Sequence, residues 1–141
     1  NNGVIVGQGH DASGDMKAII WNTDGSVNML GTFGGTESRA LSINDSNILV
    51  GFAQIVGDFD RAMISYDGTT LVDLNSEVTD LSGWLSLDRA YDINEAGQIV
   101  GYGTRSDGTQ QAFLLTVVPI PPALLLFASA LGLLGWRARR D

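Results

Sequence analysis

The chain has 141 residues, a net charge of −8, 18 glycines and no cysteine. That length suits one domain with a core of modest size, and without cysteine there is neither a disulfide framework nor a thiolate metal site. Residues 1–117 carry five cations against fifteen anions, a net of −10, so the body repels nucleic-acid phosphates and no dense basic patch offsets that field.

Short runs of β-favouring residues alternate with turn dipeptides along the body. The pattern predicts ten strands, near residues 4–9, 17–22, 27–30, 38–43, 48–53, 61–66, 70–74, 89–93, 98–103 and 111–116. Asp24-Gly25, Gly34-Gly35, Asp67-Gly68 and Asp107-Gly108 supply hairpin-turn chemistry. The segment 75–87, rich in Ser, Asp and Gly, is the place for a longer loop or one helical turn.

The strands belong to a repeat. INDSNILVGFA (43–53), INEAGQIVGYG (93–103) and the opening NNGVIVGQG each place a glycine after an aliphatic pair, at Gly7, Gly51 and Gly101. Alanines at 18, 40, 62, 90 and 112 head apolar runs and lie 22, 22, 28 and 22 residues apart, so the unit is 22 residues with six inserted once. Two units make about 44 residues and four strands, the arithmetic of a propeller blade. The expected body, residues 1–117, is therefore mainly β: short antiparallel strands in propeller-blade-like units of three, four and three, with the leading strand of the first unit missing. A 22-residue β-solenoid is the alternative, although it would align Lys17, Arg39, Arg61 and Arg89 in one column of like charge. Too few blades are present to close a ring, and unpaired edges invite pairing with another copy.

Few side chains carry chemistry. The recurring cations Lys17, Arg39, Arg61 and Arg89 suit an anionic exopolysaccharide or, as the plainer reading, the body's own carboxylates. Asp58 and Asp60 beside Gly57 form an acidic turn without the oxygen count of a calcium loop. His10 is the one histidine and has no Ser or Cys partner in a catalytic pattern. Trp21, Trp84 and Tyr102 could stack on sugars, but aromatic residues in such strands more often fill a core. No catalytic residue, metal site or cofactor is expected.

The tail differs in kind. Val118, Pro119, Ile120 and Pro121, with Pro122, make a stiff stalk over 118–122. Residues 123–141 predict a hydrophobic helix: Leu124, Leu125, Leu126, Phe127, Ala128, Leu131, Gly132, Leu133, Leu134, Gly135 and Trp136 cover most of its circumference. Ala128 and Gly132, four residues apart, suit close helix–helix contact. Arg137, Arg139 and Arg140 give a basic end that fits a cytoplasmic C-terminus and the negative pole of the helix.

The order Val118-Pro119-Ile120-Pro121, oily helix, Arg137-Ala138-Arg139-Arg140 resembles the PEP-CTERM sorting tail of Gram-negative bacteria, with Ile120 where that family usually has Glu. The resemblance implies recognition by an exosortase at the inner membrane and delivery to the cell surface or matrix. Leu30-Gly31-Thr32-Phe33-Gly34-Gly35, Ile43-Asn44 with Val50-Gly51, and Ile93-Asn94 with Gly97-Gln98-Ile99-Val100-Gly101 resemble the HAF repeats of bacterial extracellular proteins. That family's histidine is replaced by Lys17, Arg61 and Gln111 before the matching alanines, and the resemblance implies no catalytic activity. The expectation is a non-enzymatic structural protein, secreted or surface-attached, that associates with its own copies into matrix or filament; a carbohydrate-binding module of the matrix is the alternative.

Overall fold

The computed structural model describes residues 2–117. The expected proline stalk, the C-terminal helix and its basic end, Val118 to Arg140, lie outside the described residues. The strands are β1 (Ile5–His10), β2 (Met16–Trp21), β3 (Val27–Met29), β4 (Gly34–Ile43), β5 (Leu49–Ile55), β6 (Asp60–Ser65), β7 (Val72–Asp73), β8 (Trp84–Ile93), β9 (Gln98–Arg105) and β10 (Gln110–Thr116), with one short helix, α1 (Leu74–Glu77). They form three antiparallel sheets: a first sheet β1-β2-β3, a middle sheet β4-β5-β6-β7 and a last sheet β10-β9-β8. No barrel closes among the described residues.

One turn recurs throughout. The N–H of Asp11 donates to the Asp15 carbonyl while Gly14 N–H returns to the Asp11 carbonyl, and the same pair of bonds starts at Asn22, Asn44, Ile55, Asn94 and Arg105. Each loop is a three-residue hairpin closed by a residue with positive φ. In five of them that is the sole positive φ, as in a type I turn followed by a left-handed residue, while the loop from Ile55 has Gly57 (φ 91) positive as well. Where the closing residue is not glycine it is Asn47 (φ 59) or Asp58 (φ 61), types that tolerate the left-handed region.

The repeat's glycine has a packing cause. A Cβ at Gly51 would fall 2.0 Å from the Arg39 carbonyl oxygen, and one at Gly101 2.0 Å from that of Arg89. In both sheets the long leading strand, β4 or β8, bulges beside this glycine and approaches its backbone closely. Gly34-Gly35, expected as a hairpin turn, instead opens β4. A Cβ at Gly35 would meet Gln54 Cβ at 2.5 Å, so close strand approach rather than chain reversal selects that glycine. Both leading strands begin at least four residues before their predicted start, because the bulges break the alternation that marks a strand. The stretch 75–87, expected as a loop or helical turn, is α1 followed by a loop to Gly83, and its last four residues, Trp84 to Leu87, already belong to β8. The Asp73 carboxylate caps the Asn75 N–H.

The three sheets stack face to face around two apolar layers. Ala18, Ile20 and Leu30 of the first sheet and its margin pack on Ala40, Leu49, Ala53 and Met63 of the middle sheet. The opposite face of the middle sheet, with Val50, Ala62, Ile64 and neighbouring Leu74, packs on Leu87, Ala90, Ile93, Ile99 and Phe113 of the last. β5 is covered on both sides, so Leu49 to Ala53 are all buried. Repeat-equivalent residues also bond across the second layer: Asn44 Nδ2 donates to the Asn94 carbonyl, Ser42 Oγ to Asp92 Oδ1, and Asp45 N–H to the Glu95 carboxylate. Arg39 and Arg61 share the middle sheet on opposite sides of β5, while Lys17 and Arg89 lie in the other two. The charged column of a 22-residue solenoid is absent from this arrangement, because antiparallel hairpins place successive units side by side within a sheet.

Candidate functional site

The stack leaves two faces open, one at each end. On the first sheet the registers Ile5↔Trp21↔Val27 and Gly7↔Ile19↔Met29 put two apolar rows on the side away from the middle sheet. Ile5 is 62% exposed, and Trp21, Val27 and Met29 are also exposed. The Trp21 ring lies 3.3 Å from where a Gly7 Cβ would stand, filling the space that β4 and β8 take over the equivalent glycines. On the last sheet the registers Val100↔Leu114 and Tyr102↔Ala112 build the other open face. Leu114 is 62% exposed, Val100 is nearly half exposed, and the Tyr91 and Tyr102 rings pair with centroids 5.8 Å apart. Exposed apolar side chains grouped on a sheet face mark an interaction surface, whereas scattered ones do not.

Between the middle and last sheets runs an open cleft of ≈ 760 Å³, lined by Asp58, Phe59, Asp60, Arg61, Asp88, Arg89 and Tyr102 together with glutamines and hydroxyls. Arg89 organises it. Two guanidinium nitrogens lie 2.6 Å from Asp60 Oδ2, and the group sits over the Phe52 ring with Cζ 4.1 Å from the centroid. Burial pulls the Arg89 pKa down, and the hydrogen bond and charge of Asp60 more than offset this, leaving it raised. Asp88 accepts from Ser86 and Thr104, and Asp58 from Thr36. Phe59 stands 66% exposed at the rim.

The other repeat cations also meet protein partners. Lys17 lies 3.3 Å from Asp15 and 3.7 Å from Asp11 and donates to the Thr36 carbonyl; Arg39 pairs with Glu37; Arg61 donates to the Asp60 carbonyl. Arg61 and Arg89 come together in the cleft, and Lys17 and Arg39 lie outside it. Trp84 is half-buried, edge-on to Phe113 and beneath Arg105, so it serves the core. Trp21 sits on the open face of the first sheet, and Tyr102, half-buried in β9, also lines the cleft. His10 is exposed at the end of β1. Among the described residues no group of three His, Cys, Asp or Glu is placed to hold a metal ion, and no helix is long and apolar enough to cross a membrane.

Sequence reasoning did not single out Phe59 or the aliphatic rows at Ile5, Met29, Val100 and Leu114. Aligning the chain on its own repeat supplies the signal. Ile5 matches Leu49, and Leu114 matches Ile64, so each exposed residue corresponds to one that packs on a neighbouring sheet in the middle of the stack. No protein-family model, curated protein or solved structure matches the chain.

Proposed function

We propose that the chain is a non-enzymatic structural protein of the cell surface or extracellular matrix, which associates with its own copies into matrix or filament. Its three sheets are read as propeller-blade-like units of a HAF-type repeat. The tail is read as a PEP-CTERM-like address that brings the protein through the inner membrane of a Gram-negative bacterium to an exosortase. The observation that carries the association is the pair of open apolar faces on a stack whose middle sheet is covered on both sides. Burial of such surface returns about 25 cal/mol per Å² before the costs of association are met. The mature protein, isolated from its native source, should sediment as species larger than one chain and show regular assemblies in negative stain. A monomer at every concentration, or a product confined to the cytosol, would overturn the reading. Mass spectrometry of the native C-terminus should find processing near Val118–Pro121.

A second reading rests on the cleft. An exposed Phe59, the Tyr102 ring, three carboxylates and two arginines are the groups that hold a polysaccharide, by stacking and by paired hydrogen bonds. Binding to matrix glycan that is lost in Phe59→Ala and Arg61→Ala would favour it over assembly alone.

A further inference from the structure

We infer that a second copy of this chain docks head to tail, the open face of its first sheet covering the open face of the last sheet through Ile5, Val27 and Met29 against Val100, Ala112 and Leu114. This deepens the self-association reading by naming the surfaces and their order.

The argument comes from the repeat. First and middle sheets are related by a shift of 44 residues, which carries Gly7 to Gly51, and middle and last sheets by a shift of 50, which carries Gly51 to Gly101. The face that the first sheet presents to the middle one is built on Val6, Ala18 and Ile20. The corresponding face of the middle sheet is Val50, Ala62 and Ile64, and it packs on the last sheet. The corresponding face of the last sheet is Val100, Ala112 and Leu114, and it packs on nothing in the described chain. The receiving faces match in the same way. Leu49 and Met63 of the middle sheet receive the first sheet, and Ile99 and Phe113 of the last receive the middle; of their counterparts in the first sheet, Ile5 stands exposed on the open face and Ile19 is buried.

The chain thus carries both halves of a joint it already makes twice internally. The two halves sit at opposite ends, so no single copy joins them within this stack. Such a contact is heterologous: it runs from one copy to the next and either closes a ring or continues as a filament. Two copies contribute six sheets, within the four to eight blades of closed propellers.

The test uses single cysteines in the full chain, which has none of its own. Ile20 and Leu49 share one internal layer, and Ile64 and Ile99 share the other; at the joint between copies these positions are Leu114 and Ile5. Both are 62% exposed, so Ile5→Cys and Leu114→Cys leave the fold intact. Mixed one to one in mild detergent and oxidised, they should give at least fivefold more disulfide-linked dimer than either variant alone. Equal linking of either variant with itself would show a like-to-like contact and overturn the assignment. Copies that associate by sedimentation but link no better when mixed would sink the assignment and leave self-association standing. A chain that stays monomeric throughout would sink both. A thiol at position 114 shielded from maleimide in the monomer would show that residues 118–141 of the same chain cover the face, which also overturns the proposal.

Discussion

The middle sheet and the two end sheets come from one repeat, yet the same positions behave as core in one place and as surface in the others. Leu49 is buried and its counterpart Ile5 is 62% exposed; Ile64 is buried and its counterpart Leu114 is equally open. The residue types barely change, so burial here is decided by which neighbour is present and not by the side chain itself. Gly51 and Gly7 make the same point for the backbone. A Cβ at Gly51 would strike the Arg39 carbonyl at 2.0 Å, whereas one at Gly7 would touch only the Trp21 ring at 3.3 Å.

The two glycines offer the largest way to break this contrast. Gly51→Ala must push β4 away from β5 or distort its bulge, and a loss of about 3 kcal/mol is expected, near the top of the range for overpacking. Gly7→Ala needs only a small shift of an exposed ring and should cost less than about 1 kcal/mol. Urea unfolding of the two variants measures the difference directly. Truncations come next. Leu49→Ala opens a cavity between covered sheets and should cost about 2–5 kcal/mol, while Ile5→Ala should stay within about 0.5 kcal/mol in the isolated chain. A large loss from Ile5→Ala that grows with protein concentration would instead mark a face already occupied by another copy.

How much of this was legible in the sequence follows the same division. The ten strands could be placed because turn residues and β-formers alternate, and the body does have ten strands in units of three, four and three. The leading strands were read too short and Gly34-Gly35 was read as a turn, because bulges and close strand approach use glycine without reversing the chain. The cations were visible as a repeat, but not their different roles. Arg39 finds Glu37 two residues away on its own strand, and Arg89 reaches across to Asp60 on another sheet. Periodicity reports local neighbours, and a partner 29 residues away leaves no trace in it.

Arg89 and Arg39 sharpen that point at a smaller scale. Arg89→Ala removes an ion pair joining two sheets and uncovers the buried Phe52 ring, so about 1–2 kcal/mol is expected after allowing for screening of a one-third-exposed guanidinium. Arg39→Ala breaks a pair within one strand and should cost about 0.5 kcal/mol or less. Equal costs in thermal unfolding would mean that the pairing across sheets adds nothing.

Acid should reach all three sheets alike, and its effect per group is the smallest. Asp24 is held below the usual carboxylate range by the Ser26 hydroxyl and N–H, Asp67 by the N–H groups of Thr70 and Thr69, and Asp107 by the Thr109 hydroxyl and N–H. These turns belong to the first, middle and last sheets in that order. A carboxyl whose folded pKa is depressed contributes stability that is complete above its unfolded value, about 3.9, and is lost as pH falls through the folded value. The urea midpoint should therefore change little through these groups above about pH 5 and should fall steadily below about pH 4. Asp67→Asn keeps an acceptor oxygen for the Thr69 and Thr70 N–H groups but cannot titrate, so its midpoint should fall less steeply between pH 4 and pH 2 than that of the parent. Parallel slopes would remove the Asp67 turn from the acid response, and the weight would pass to Asp24 and Asp107 in the end sheets.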